Sequence, residues 1–222
     1  MIKLIALLTM LIDHIGAVLF PELVIFRTIG RLSMPLFAYC IARGFYYSNQ
    51  HGTIRKYIRN MVIFAFVSQL PYDVLPFEGL NIGFTWLLTL LLLVISTAKY
   101  KAVWQKILAF VASSSVVYVS IRFGVLPVDA GFYGILIALL FYFLISTKKE
   151  NLTSYFLVLV LTWIYFACTQ ENAAIQIVSV FSAFILALCR KYDSLVKLPK
   201  WVSYIFYPAH MVILRAVGCV VS

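Results

Sequence analysis

The chain has 222 residues, of which 64% are hydrophobic, and its mean hydropathy is +0.99. A soluble domain is close to half apolar and could not hide this much apolar surface in its interior, so the composition excludes a water-soluble globular protein and makes the lipid bilayer the solvent. The net charge of +10 does not indicate nucleic-acid binding, because the basic residues lie in short loops between apolar runs and not on one polar face.

Nine apolar runs follow one another along the chain, and most approach the length of about 20 residues that a membrane-spanning helix needs. In order they are Ile2–Phe20, Phe26–Tyr47, Tyr57–Leu75, Leu80–Thr97, Trp104–Leu126, Gly131–Ser146, Thr153–Thr169, Ala173–Leu188 and Val202–Val221. The first run lacks a small-residue cleavage site, so we interpret it as a transmembrane helix and not as a signal peptide. Residues 1–222 therefore predict a single all-α domain, a polytopic membrane helical bundle of about nine transmembrane helices.

Lysine and arginine are concentrated in alternate loops. The loops after the even-numbered runs carry Arg55, Lys56, Arg59, Lys99, Lys101, Lys106, Lys148, Lys149, Arg190, Lys191, Lys197 and Lys200. The loops between them carry chiefly acidic residues, namely Glu22, Asp73, Glu78, Asp129 and Glu171. Under the positive-inside rule the N-terminus is cytoplasmic and the C-terminus is extracytoplasmic. We expect a multi-pass protein of the cell membrane, which in a bacterium is the plasma membrane.

Several charged or titratable side chains fall inside the predicted helices, where topology does not explain them. They are Asp13, His14, Arg27, Arg31, Arg122, His210 and Arg215. Such groups are costly in a bilayer unless they are paired or hydrated, so we expect them to form one polar functional site. The alternative is a structural Asp–Arg pair that ties two helices together. The four cysteines show no paired spacing, and we predict neither a disulfide framework nor a metal site.

Lys3 and His14 are eleven residues apart, close to three helical turns, so their side chains share one face of the first helix. Their separation along the helix axis is about 16 Å. This arrangement puts Lys3 at the cytoplasmic mouth and His14 about half-way through the membrane. It suits a long, thin, anionic cofactor that enters from the cytoplasm, and coenzyme A has this shape.

Asp13 is turned about 100° away from its neighbour His14 around the helix, so we expect its partner on another helix. Arg27 and Arg31 are the candidates, because they are four residues apart and share one face of the second helix. Pro35 is expected to kink that helix and to open space near the site.

His210 lies two residues after Pro208 in the last predicted helix. Its imidazole can act as a base, a proton relay or a hydrogen-bond donor, and a structural histidine between helices is an equal alternative. Four polar residues near the outer boundary can either line an acceptor pocket or serve in turns and loops. They are Gln69, Asp73, Asn81 and Asp129.

Five stretches of the chain resemble the signature blocks of TraX-type membrane proteins. They read LIDHIGAVLFP, FRTIGRLSMPLFAYCIARGF, FVSQLPYDVL, LNIGFTWLLTLLLL and YIFYPAHMVIL, and they run from Leu11 to Leu214. The likeness thus covers nearly the whole chain as a TraX-like domain. The named member of this family is associated with the N-terminal acetylation of conjugative pilin subunits.

Lys3 and His14, with ten residues between them, are also similar to the Arg/Lys-x10-His motif of membrane acyltransferase family three. That motif belongs to a wider group of transmembrane acyltransferases that use acetyl-CoA, in which a histidine near the first helix is the catalytic base. The resemblance implies that His14 has this role.

We therefore expect an acetyl-CoA-dependent membrane acetyltransferase that moves an acetyl or longer acyl group to an amine or a hydroxyl. The acceptor is a peptide or small molecule, for example the N-terminus of a membrane or exported peptide. Catalytic roles are expected for His14, Asp13 and His210. Cofactor-binding roles are expected for Lys3, Arg27, Arg31, Arg43 and Arg55.

Two other functions stay open from the sequence. One is a membrane transporter or channel that uses the buried Asp, His and Arg side chains as a proton or substrate path. The other is a non-catalytic partner in the assembly of a secretion machine.

Overall fold

The computed structural model describes residues 1–75, 77–99, 102–169, 173–192 and 198–221. Lys101, Glu171 and Lys197, which entered the charge argument, lie outside the described residues. Within those ranges every regular element is a helix, and one isolated parallel bridge joins Leu80 to Val128. The prediction of an all-α bundle is therefore confirmed for the described chain.

The helices begin and end close to the breaks between the apolar runs. They are α1 (Ile2–Leu19), α2 (Val24–Gly30), α3 (Ser33–Gln50), α4 (Ile54–Asp73), α5 (Ile82–Thr97), α6 (Val103–Arg122), α7 (Gly131–Ser146), α8 (Leu152–Thr169), α9 (Ala173–Gln176), α10 (Ser182–Tyr192) and α11 (Lys200–Val221). A short 3-10 segment, Ile177–Phe181, joins α9 to α10.

Six stretches of the described chain are long and apolar enough to cross a membrane. They are Ile2–Leu19, Val24–Gln50, Val103–Arg122, Leu152–Thr169, Ala173–Tyr192 and Trp201–Cys219. α5 and α7 are apolar but have 16 residues each. α4 is long enough, but three basic residues in its first two turns lower its hydropathy. The chain has the composition of a polytopic membrane protein, while the count of nine crossings and their orientation stay predictions.

The run Phe26–Tyr47, predicted as one kinked helix, forms two helices, α2 and α3, which part at Arg31 and Leu32. Pro35 explains the break. It has no N–H to donate to the carbonyl of Arg31 four residues earlier, so a regular helix does not continue through this point. The break lies next to the polar residues of α1, because Gly30 contacts the side chain of Asp13.

The run Ala173–Leu188 is broken as well, since α9 and the 3-10 segment precede α10. Polar side chains of this stretch bond to α7: Gln176 Nε2 donates to the hydroxyl of Tyr133 at 2.9 Å, and Ser179 Oγ lies 3.2 Å from the same hydroxyl. The backbone follows these tertiary partners instead of an ideal α-helix.

α3 is the central helix and packs against α1, α4, α5, α7 and α10. Its inward side chains, among them Leu36, Ala42 and Phe45, are fully buried. α11 packs against α1 and α4 and closes this side of the bundle. The space enclosed by α1, α3, α4 and α11 contains the polar groups described below.

A partly buried carboxylate joins three helices at the predicted cytoplasmic end of the bundle. Glu150 accepts hydrogen bonds from the hydroxyls of Tyr39 at 2.8 Å and Tyr155 at 3.1 Å, and it pairs with Arg190 at 3.1 Å. These contacts join α3, α8 and α10, so the central helix is held at the end where the basic loops lie.

Candidate active site

A cavity of about 620 Å³ lies among α1, α3, α4, α7 and α11. One end is at the start of α1 and the α3–α4 loop and is lined by Lys3, Ser48, Thr53, Lys56 and Asn60. Apolar side chains dominate the middle, among them Met34, Phe37, Ile41, Phe64 and Trp86. The other end is lined by Asp13, His14, Arg31, Asp129, Tyr133 and Tyr207. A single cavity therefore reaches from the predicted cytoplasmic loops to the buried polar groups.

His14 lines this cavity, and its imidazole is in direct contact with that of His210 behind it. His14 Nδ1 and His210 Nε2 are 2.6 Å apart, and the two rings lie edge to edge and within 10° of parallel, with their centroids 4.9 Å apart. On its other side, His210 Nδ1 lies 2.8 Å from the carbonyl oxygen of Phe206, one turn earlier on α11. The two histidines and the carbonyl form one continuous chain of hydrogen bonds.

These hydrogen bonds determine the tautomers of both imidazole rings. A carbonyl oxygen only accepts, so His210 Nδ1 carries a hydrogen and donates it to Phe206, which leaves His210 Nε2 as an acceptor. His14 Nδ1 then donates to His210 Nε2, and His14 Nε2 keeps a free lone pair. A neutral imidazole with an unprotonated Nε2 at a cavity wall is in the state that a general base requires.

Asp13 pairs with Arg27, as the sequence predicted for Arg27 or Arg31. Arg27 Nη1 donates to Asp13 Oδ2 at 2.6 Å. The backbone of Gly30 packs directly against the Asp13 side chain and leaves no room for a Cβ atom. The Asp13–Arg27 pair joins α1 to α2 beside His14. The predicted structural Asp–Arg pair and the contact between the two histidines are therefore both present.

Arg31 lies one turn further on and has a different environment. Its side chain lines the cavity, and within the described residues its guanidinium makes no hydrogen bond. It lies in the electric field of the Asp13 and Asp129 carboxylates. The two arginines named together in the sequence analysis thus have different positions: Arg27 pairs with Asp13, and Arg31 lines the cavity.

Of the remaining residues predicted to bind the cofactor, one lines the cavity and two do not. Lys3 lines the basic end of the cavity. Arg43 lies over the ring of Tyr47, with 5.8 Å between its Cζ atom and the ring centroid, and it is not among the lining residues. Arg55 is exposed and also lies away from the cavity wall, whereas its neighbour Lys56 is in that wall.

Of the four polar residues near the outer boundary, Asp129 alone lines the cavity among the residues described there. Asn81 caps α5 by accepting from the Gly83 N–H at 2.8 Å, and its amide donates to Gln69 at 2.8 Å. Gln69 in turn donates to Asp73, so these three have a structural role at the start of α5. Burial raises the pKa of the Asp129 carboxyl above its usual range.

Sequence reasoning missed the tyrosine and serine side chains of α11. Tyr207 and Ser203 line the cavity, and the Tyr207 ring meets the His14 ring edge-on with 6.1 Å between centroids. The signal was present in the sequence, because Ser203, Tyr207 and His210 follow one another at helical spacings of four and three residues and share one face.

Comparison with known proteins places the chain among its relatives. It is 28% identical over 145 residues to the "Probable fimbrial assembly protein FimC, serogroup H1" of Dichelobacter nodosus, a match that covers 57% of each protein. Over 46 residues it is 48% identical to the "Uncharacterized protein RP591" of Rickettsia prowazekii (strain Madrid E), which is 21% of this chain and 18% of that protein. The chain thus matches less than two thirds of the length of either relative.

No solved structure matches the chain. The family model described as TraX protein matches residues 1–218, which is essentially the whole sequence and includes both histidines. The chain therefore belongs to the TraX family.

Proposed function

We propose that this chain is an acetyl-CoA-dependent membrane acetyltransferase with His14 as its general base. The observation that supports this most strongly is the hydrogen-bond chain from Phe206 through His210 to His14. It leaves one basic nitrogen, His14 Nε2, at the wall of a cavity whose far end is lined by lysines. A cation at the mouth and a base inside match a donor with a phosphorylated head and a reactive thioester tip.

The donor enters the cavity from the side of the cytoplasmic loops, with its thioester first and its phosphorylated head last. Lys3 on α1 and Lys56 on α4 line the same end of the cavity and would make charge-assisted contacts with the phosphates of coenzyme A. Lys3 and His14 are separated along α1 by about 16 Å, a distance that an extended pantetheine arm bridges. The apolar middle of the cavity suits the uncharged part of that arm.

His14 Nε2 takes the proton from the acceptor amine or hydroxyl as that group attacks the thioester carbonyl. The new C–N or C–O bond forms, the C–S bond breaks, and the imidazolium returns its proton to the coenzyme A thiolate. His210 accepts the His14 Nδ1 hydrogen throughout, so it orients the ring and stabilises the positive charge on it.

The acceptor reaches His14 from the end of the cavity that holds Asp129 and Arg31. The name of the Dichelobacter nodosus relative refers to fimbrial assembly. It supports a membrane or exported peptide of a surface-fibre system as the acceptor of this chain.

The test is incubation of the purified protein in detergent with radiolabelled acetyl-CoA and a short apolar peptide that has a free N-terminal amine. The proposal predicts release of coenzyme A and transfer of label to the peptide. It also predicts that coenzyme A raises the melting temperature, because a ligand that binds the native state stabilises it. Absence of both effects would refute the proposal, and proton or solute flux in liposomes would favour a transporter instead.

A further inference from the structure

Tyr207 has a buried hydroxyl group whose hydrogen is not donated to any residue that the structure describes. The residue is 4% exposed and lines the cavity. Its hydroxyl hydrogen has no acceptor among the described residues. The neighbouring N–H of Ile82 is itself a donor and cannot take that hydrogen. Buried polar groups in native proteins nearly always have a partner, so an unused donor in a cavity wall points to a ligand.

The position of Tyr207 identifies which part of the ligand it meets. Its ring is edge-on to both imidazoles, with centroids 6.1 Å from that of His14 and 5.6 Å from that of His210. Phe64 packs on the same ring with centroids 5.3 Å apart and holds it in place. The Tyr207 ring is thus held beside the general base, close to where the thioester carbonyl must lie during transfer.

Building on the proposed acetyltransferase function, we propose that Tyr207 is a catalytic residue whose hydroxyl donates a hydrogen bond to the carbonyl oxygen of the thioester. As the acceptor attacks, this oxygen becomes an oxyanion, and it returns to a carbonyl when the C–S bond breaks. The Arg31 guanidinium, which lines the same end of the cavity without a hydrogen bond to a described residue, supplies the second donor and a positive charge. No proton leaves Tyr207 in this step.

Two fixed donors in a water-poor site act on charge that develops only in the transition state. Loss of one such donor therefore lowers kcat and leaves KM almost unchanged. A tyrosine that only packs against the histidines would show no such effect, because phenylalanine keeps the ring. The hydroxyl hydrogen is also not donated to any described residue, so its removal leaves no acceptor there without a partner.

The test compares wild type, Tyr207→Phe and the control Tyr118→Phe in the acetyl-CoA and peptide assay. Tyr118 lies on α6, outside the cavity wall, with its ring against Phe132. We expect Tyr207→Phe to lower kcat by about 100-fold or more, with KM for acetyl-CoA within about twofold. Its melting temperature stays equal or rises, and Tyr118→Phe behaves as wild type. Arg31→Gln lowers kcat as well.

The outcomes separate this inference from the proposed function. A wild-type protein that transfers acetyl groups, with a Tyr207→Phe variant of equal kcat, overturns the role of Tyr207 and leaves the acetyltransferase standing. A wild-type protein that transfers no label and releases no coenzyme A overturns both. A fall of kcat with an unchanged KM and melting temperature supports the assignment.

Discussion

His210 joins a backbone carbonyl to the imidazole of His14, and this position makes its role testable by two substitutions. In His210→Gln the side-chain carbonyl can still accept the His14 Nδ1 hydrogen, whereas in His210→Phe that buried donor has no partner. An unpaired buried donor costs about 1–3 kcal/mol, so we expect His210→Phe to lose about 10- to 100-fold in kcat. His210→Gln stays within about tenfold of wild type.

The pH dependence of acetyl transfer shows whether His210 orients the His14 ring or only packs against it. In His210→Phe the His14 ring is free to take either tautomer, so the pH–rate profile shifts relative to wild type. In His210→Gln the profile keeps its wild-type shape. Equal rates and profiles for the two variants would contradict the role of His210 as the group that orients the base.

At the residue scale, the sequence predicted that polar side chains lie together inside the bundle better than it predicted which of them are in contact. Asp13 needed a cation, and only the arginines of the next helix were close in sequence, so its partner could be named. His14 and His210 are 196 residues apart in sequence, and no local pattern reports such a contact. Tyr207 carries no charge and lies in an apolar helix, so its helical spacing from His210 is the signal that the sequence offers for it.

Gly30 fixes the distance between α1 and α2. A Cβ atom at this position would overlap the side chain of Asp13. Gly218 on α11 is a matched control, because a Cβ atom there would meet Val18 at 3.6 Å, an ordinary contact. We expect Gly30→Ala to lower the melting temperature and the transfer rate, and Gly218→Ala to leave both at or above wild type, since alanine favours the helix.

The measurement is thermal unfolding in detergent alongside transfer of labelled acetyl groups. The close packing at Gly30 makes a shift of several degrees the expected size of effect. If Gly30→Ala unfolds at the wild-type temperature and transfers normally, the contact between Asp13 and α2 does not support the site.

The basic end of the cavity gives a prediction for donor binding. Reversing the charge at Lys3 or Lys56 places a carboxylate where the coenzyme A phosphates are proposed to bind, so KM for acetyl-CoA rises by about tenfold or more while kcat changes little. Lys149→Glu is the control, since Lys149 is exposed on another loop of the same predicted side. Equal KM values in all three variants would contradict donor entry at this end.

At the element scale, the apolar runs located α1, α5, α7, α8 and α11 to within a few residues, because a bilayer demands continuous apolar length. The breaks were harder to predict. Pro35 signalled a kink, but whether a helix bends or ends at a proline depends on the packing around it. The 3-10 segment before α10 contains Ser179, which bonds to Tyr133 on α7. The local sequence gives no sign of a partner on another helix.

For the whole molecule, the central prediction is orientation. In a cysteine-free background, Glu22→Cys lies between α1 and α2 and His51→Cys lies between α3 and α4. Because basic loops stay in the cytoplasm, a membrane-impermeant maleimide should label Glu22→Cys in intact cells and His51→Cys only after permeabilisation. The reverse pattern would place the basic end of the cavity outside, where acetyl-CoA is absent.

The proposed mechanism as a whole depends on the free Nε2 nitrogen of His14. In His14→Asn the side-chain amide stands where Nδ1 does, so it can still donate to His210, but the basic nitrogen is gone. The decisive measurement is the rate of acetyl transfer from labelled acetyl-CoA by this variant, together with its melting temperature in the presence of coenzyme A. We predict a loss of about 100-fold or more in rate with coenzyme A stabilisation retained. Transfer by His14→Asn at the wild-type rate would contradict the assignment of His14 as the base.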